Sequence, residues 1–251
     1  MSGIVGDNLG AVTPGLRERR KQQTRQSISA VAMAMFAERG FDRVTISEVA
    51  ETAGVSKMTV TNYFARKEDL VFDRAEEIIT SLADTIAGRS YGESLLAAIR
   101  RDYDERLAAG DVTLGPPTEN FARMVEGSHV LTSRWLELAD LREKALAAVF
   151  AAETGIDDPQ QRIVAAQLAS VHRVLFQEST RRLLAGQTPD EIRPALAAAA
   201  RRAFDLLVPS LGNYGVRTRA ARPPNPIRPP SDRRRATKGA TIADQQHDRR
   251  P

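Results

Sequence analysis

The stretch from Gly40 to Leu70, GFDRVTISEVAETAGVSKMTVTNYFARKEDL, constrains this chain more than any other. Thr45 followed three residues later by Glu48 spells a capping box, in which hydroxyl and carboxylate each satisfy a backbone amide at a helix start. Ile46, Val49 and Ala50 follow at helical spacing. Ala53-Gly54 then breaks the helix, because Gly accepts the backbone angles of a tight turn. Val55 can tie that turn to a core. Ser56 can cap a second short helix carrying Val60, Tyr63 and Phe64. Two short helices joined by a tight Gly turn are the sequence form of a helix-turn-helix, whose second helix lies in the major groove of DNA.

A helical hairpin is common in all-α proteins, so the exposed face of the second helix decides. Ser56, Lys57, Thr59, Thr61 and Asn62 are short hydrogen-bonding groups and one cation, with no acid between Ser56 and Lys67. A merely solvated face mixes both charge signs. Gly40-Phe41, Thr45-Ile46, Val49, Gly54-Val55-Ser56, Thr59-Val60, Tyr63-Phe64, Lys67 and Leu70 resemble, in order and spacing, the signature of TetR-type transcriptional regulators. The resemblance runs from Arg17 to Phe72. It departs at Met58, where a small residue or Pro is typical, and at Arg66, where Ser, Asn or Asp usually caps the next helix.

By position and by this resemblance, Lys57, Met58 and Thr61 are expected to face bases. Lys57 would donate to guanine O6/N7 and Met58 would pack on a thymine methyl. Thr45, Ser47, Thr59, Asn62, Tyr63 and Lys67 are expected on phosphates. Arg17, Arg19, Arg20, Lys21 and Arg25 precede an apolar face formed by Ile28, Val31, Ala32, Met35 and Phe36. A basic helix start opposes its own dipole, which suits a phosphate-contacting arm.

Charge is uneven along the 251 residues. Residues 1–66 carry 9 basic and 6 acidic side chains, residues 67–214 carry 17 and 23, and residues 215–251 carry 10 and 3. The basic excess therefore sits in the first segment and above all in the tail, while the body is acidic. A DNA-facing end joined to a body that avoids phosphate fits this distribution.

Apolar periodicity predicts helices over 17–39, 45–52, 56–64, 67–87, 91–109, 119–126, 128–153, 159–185 and 189–207, with no strand. The expected fold is all-α. A three-helix DNA-binding domain (16–66) precedes a six-helix ligand-binding and dimerisation bundle (67–210). Disordered segments are expected over 1–15 and, in a basic tail with six of the 13 prolines, over 211–251. The longest apolar runs, Ala30–Ala37 and Ala145–Ala152, are eight residues. A membrane span needs roughly 20. The first 15 residues hold no basic stretch leading into an apolar one, so no secretory signal is expected. With no Cys, a cytoplasmic location is expected.

One such module reads too few base pairs, so a homodimer on a double-stranded operator is expected. The resemblance implies pairing through the last two helices, about 159–186 and 189–208. It also implies a pocket for a small-molecule effector among the middle helices, with Tyr103, Phe121, Met124, His129, Trp135, His172 and Phe176 as candidates. The expected function is a repressor released by that effector. Two alternatives stay open: a DNA-binding regulator without an effector, and an α-helical protein-interaction module. No catalytic residue, metal site or cofactor is expected. There is no phosphate-binding Gly loop, no HExxH and no GxSxG, and the three His have no ligand spacing.

Overall fold

The computed structural model describes residues 15–155 and 158–218, and its described residues are helical or irregular, without a strand. Nine α-helices follow in order: α1 (Leu16–Arg39), α2 (Ile46–Thr52), α3 (Lys57–Tyr63), α4 (Ala75–Gly88), α5 (Leu95–Ala108), α6 (Glu119–Glu126), α7 (His129–Thr154), α8 (Pro159–Leu184) and α9 (Pro189–Leu211). The expectations for residues 1–14 and 219–251 lie outside the described residues.

The local signals act as read. The Thr45 hydroxyl accepts from the Glu48 amide at 3.3 Å, and Glu48 accepts from the Thr45 amide at 2.8 Å. Gly54 takes φ +67° in the turn, a conformation that side chains with a Cβ resist. Ser56 accepts from the Thr59 amide at 3.0 Å, starting α3. Asp158 caps α8 with Pro159 at its first position, and Thr188 with Glu191 forms a second capping box before α9.

Three boundaries differ from the sequence pattern. The helix expected over 67–87 is a 3-10 turn, Lys67–Leu70, then a bend, then α4. Leu70, Val71 and Phe72 are consecutive and all buried, which one helix face cannot achieve. The helix expected from Tyr91 begins at Leu95 instead, capped by Ser94 after Gly92 at φ +83°. Pro209 lies inside α9 rather than ending it. Its lost amide falls in the last turn, which the buried Leu211 anchors.

The segment expected in a tail from 211 is likewise packed as far as 217. The Leu95 amide donates to the Tyr214 carbonyl at 3.2 Å, and the Gly92 amide to the Arg217 carbonyl at 2.8 Å. Arg217 also donates to the carbonyls of Ala87 and Arg89 and lies over the Tyr91 ring. The buried Arg89 guanidinium binds Glu153 and the Gly215 carbonyl.

α4 packs along α7, α7 on α8, α8 on α9, and α5 on α9 and α4. Two apolar clusters result. One lies inside the bundle and includes Ile99, Tyr103, Leu146, Leu168 and Phe204. The other spans the head and the near end of the bundle: Val49, Val60, Phe64 and Phe72 share it with Leu131, Trp135 and Leu138 of α7. Head and bundle therefore meet through one continuous core.

Glu48 also bonds Arg39 at 2.6 Å, and with the two Thr45 bonds this holds its carboxyl down at about 2 from an ordinary 4.5. A lowered carboxylate pKa adds stability that is complete above the unfolded value and drains as pH falls towards the folded one. In urea titrations between pH 5 and pH 2, Glu48→Gln is expected to show a shallower loss of stability than the unsubstituted chain. Identical slopes would mean the box does not persist in solution.

Candidate functional site

α3 owes its exposed face to the buried one. Val60 and Phe64 are anchored in the head core, which turns Lys57, Met58, Thr61 and Asn62 outwards. Met58 is 68% exposed, unusual for its side chain, and the Thr61 hydroxyl donates back to the Met58 carbonyl at 3.1 Å. Thr59 and Tyr63 are half-buried, and the Thr59 hydroxyl lies 2.8 Å from that of Ser56. Ser47 is exposed on the first turn of α2. The start of α1 and the end of α3 border one open polar groove, lined by Lys21, Gln22, Asn62 and Tyr63 on that side. The basic start of α1 and the outward face of α3 thus belong to neighbouring surface.

Three expected phosphate contacts are otherwise engaged. The Thr45 hydroxyl and amide both donate to the Glu48 carboxylate, leaving no donor and placing an acid beside them. The Lys67 ammonium turns inward, donating to the Phe41 carbonyl and lying 4.2 Å from the Phe41 ring centroid. Partial burial pushes its pKa down. Arg25 is drawn in as well. It donates to the Tyr63 carbonyl at 2.6 Å and the Asp73 carbonyl at 3.0 Å, and stacks 4.3 Å from the Phe64 ring. Lys67 and Arg25 are held by backbone carbonyls that need a donor, and Thr45 by the carboxylate of its own capping box.

The seven pocket candidates fall into separate groups. Phe121, Trp135 and Phe176 come together with Phe72. Trp135 stacks on Phe176 at 4.1 Å, and Phe72 meets Trp135 at 6.1 Å and Phe121 edge-on at 6.3 Å. They line a mostly apolar cleft, bordered by Val71, Ile78, Thr113 and Pro117. Tyr103 and His172 lie deeper, edge to face at 5.2 Å, with Phe204 beside them. Met124 packs on the head core and borders a different groove with Phe36 and Phe41. His129 is exposed, its Nδ1 3.2 Å from the Ser133 hydroxyl.

Two groups were not legible as functional in the sequence. Arg134 binds Asp69 at 2.8 Å and Glu137 at 2.9 Å, and Arg66 binds Glu137 at 2.7 Å, an ion-pair chain between the Lys67–Leu70 turn and α7. The other is Arg142, buried on the inner face of α7. Its signal was positional: 131, 135, 138, 142, 146 and 150 are the core register, and only 142 is charged.

Among the described residues no cluster of His, Asp or Glu could hold a metal, and no helix is long and apolar enough to cross a membrane. A capped, acid-free short helix presented by a three-helix head, on a larger helical body, defines a helix-turn-helix DNA-binding regulator.

Residues 28–73 match the family model of bacterial regulatory proteins of the tetR family. The chain is 28% identical over 209 residues to the HTH-type transcriptional regulator TcmR of Streptomyces glaucescens, covering 79% of this chain and 88% of that protein. It is 26% identical over 151 residues to RutR of Escherichia coli (strain K12), covering 53% and 71%. A solved TetR-family regulator from Syntrophomonas wolfei aligns over 73% of this chain and 96% of its own, with 17% identity and a TM-score of 0.49. The chain carries the DNA-binding domain of the tetR family of bacterial regulatory proteins. Regulators of this family bind DNA operators and act as dimers.

The inward Lys67 makes a stability prediction. Replacing it with Met removes a charge-assisted bond to a carbonyl, so Lys67→Met is expected to lower unfolding free energy by about 1–3 kcal/mol in urea. An unchanged midpoint would mean that the ammonium lies in solvent, where phosphate could reach it.

Proposed function

We propose that the chain is a homodimeric, cytoplasmic repressor that leaves its operator when a small molecule enters the cleft formed by Phe72, Phe121, Trp135 and Phe176. The observation that carries this reading is the continuous core. Phe72 and Trp135 line the cleft and also belong to the cluster that anchors Val60 and Phe64 behind α3. A ligand that separates these rings changes the packing on which the head rests. Cores respond to such changes by switching between packed arrangements rather than by yielding smoothly. The ligand must favour the released arrangement by its own differential affinity, about 5.5 kcal/mol for a near-complete switch.

In this reading Lys57, Met58 and Thr61 read bases. Ser47, Thr59, Asn62 and Tyr63, with the start of α1, hold phosphates. Lys57→Ala should weaken binding to the best operator by about 1–3 kcal/mol and leave random DNA less affected. Equal loss on both duplexes in fluorescence anisotropy would reduce Lys57 to a phosphate contact.

Pairing through α8 and α9 is supported by apolar side chains left in solvent. Ile163 and Val174 share one face of α8 and are 58% and 52% exposed, and Leu206 of α9 is 80% exposed. Ile163→Glu with Val174→Glu should give a monomer in sedimentation. Operator affinity should then fall by about 100-fold or more, because the second head no longer binds at high effective concentration. A double variant that stays dimeric would place the interface elsewhere.

Release is testable through the one tryptophan. Trp135 stacks in the cleft wall, so a bound small molecule should alter its emission and, at the same concentration, free a duplex from the chain's own promoter region. Emission changes without release would favour a regulator that needs no effector.

A further inference from the structure

Arg142 is 4% exposed, yet its Nε and one terminal nitrogen have no hydrogen-bond partner, and no described ion pair includes it. The groups near it do not compensate. Burial, with the positive field of Arg106 and Arg173, lowers the guanidinium well below its ordinary value, to about 10. The buried Tyr103 hydroxyl is also unpartnered. So are both His172 nitrogens: the Leu168 carbonyl lies near that ring without normal hydrogen-bond geometry. Burial and the field of Arg142 push His172 down to about 3, so it stays neutral. Buried polar groups are almost always paired, and a lone buried cation is among the costlier arrangements a fold can carry.

Arg142 and His172 share helices with the aromatic cleft, and Tyr103 meets His172 from α5. Arg142 is two turns beyond Trp135 along α7, about 10 Å. His172 is one turn before Phe176 on α8. Thr113, a cleft residue, bonds the Arg106 side chain, which reaches in from α5. Along α7 and α8, cationic and hydrogen-bonding groups thus lie within about two turns of the aromatic ones.

We infer that Arg142, Tyr103 and His172 form the anion-recognising end of the effector site, and that the effector is a small organic carboxylate with an apolar body. The inference rests on the effector reading above and names its ligand class. The carboxylate would accept from the Arg142 fork and from the Tyr103 hydroxyl, and a neutral His172 can supply one ring N–H. The apolar body would lie between the rings of Phe72, Phe121, Trp135 and Phe176. A carboxylate thus removes the cost of the unpaired cation, and a neutral analogue does not.

The test uses the full-length dimer with 2-naphthoate and decanoate as probes and their primary amides as matched neutral controls, followed by thermal unfolding and Trp135 emission. An acid is expected to raise the melting temperature and change the emission, and its amide to bind roughly 10- to 100-fold more weakly. Arg142→Met should lose the preference for acid over amide, and Arg142→Lys should keep part of it. Helical signal and sedimentation show whether each variant is folded. Without any probe, Arg142→Met should melt higher than the unsubstituted chain, because an uncompensated buried cation is gone.

A lower melting temperature for folded Arg142→Met would mean the charge is compensated within the chain, and would overturn the inference. So would equal binding of acids and amides, an unchanged preference in Arg142→Met, or no response of the unsubstituted chain to either acid. Acids that bind through Arg142 but leave the operator complex intact would uphold the anion site and refute release. Amides that bind and release DNA as well as acids would uphold release and refute the anion site.

Discussion

The guanidinium of Arg25 is the tie on which the geometry of the head depends. It spans from α1 to the last carbonyl of α3 and to the Asp73 carbonyl just before α4, while its flat face covers Phe64. A helix C-terminus leaves carbonyls without partners, and a planar five-donor group can satisfy one of them and a connecting-segment carbonyl at once while stacking on a ring. The end of α3 and the start of α4 are thereby fixed to the same side chain. Any displacement of α4 must either drag α3 or break charge-assisted bonds. Ser29 reinforces the tie by donating to the Leu70 carbonyl at 3.1 Å.

Around that tie, coupling between head and bundle takes two physical forms. The apolar form is the core shared by Val60, Phe64, Phe72 and Trp135, which is short-ranged and sensitive to shape. The ionic form is the chain Arg66–Glu137–Arg134–Asp69, which joins the Lys67–Leu70 turn to α7. Arg134 and Asp69 are mostly buried and resist screening, whereas Arg66 and Glu137 are exposed and contribute little on their own. Asp69 also accepts from the Arg66 amide at 3.1 Å, so it starts the turn despite the absence of a capping side chain at 66. The departure from the usual cap at that position is thus absorbed by the next carboxylate.

What the sequence made legible follows from how local each signal is. Thr45, Glu48, Gly54, Ser56, Asp158 and Thr188 act within one turn, and each helix start they mark is where the structure has it. The bend at Phe72–Arg74 was hidden because periodicity shows which residues are apolar, not which element covers them. Three consecutive buried residues are a tertiary fact. The order at 214–217, within the tail expected from 211, is hidden for a similar reason: the partner that orders it, the α4–α5 connection, lies more than a hundred positions earlier. The pocket candidates form one set in the sequence, and periodicity does not sort them into a cleft, a second buried cluster and an exposed histidine. Lys67, Arg25 and Thr45 show the limit for polar groups. A donor beside a helix end serves a carbonyl or a carboxylate of its own chain as readily as a phosphate, and only coordinates tell which.

The brevity of α3 has a consequence for the DNA it meets. Seven residues at 1.5 Å each give an axis of about 10 Å, which spans about three base pairs at 3.4 Å per step. Three positions with four choices each distinguish only about 64 sequences, a word that recurs by chance throughout any genome. The information needed to mark one site must therefore come from repetition. A second copy related by a two-fold axis reads the same word on the other strand, and the spacing between the two words adds a further constraint. The vocabulary is set by the exposed face of one short helix, and the grammar by the rigid distance between two of them.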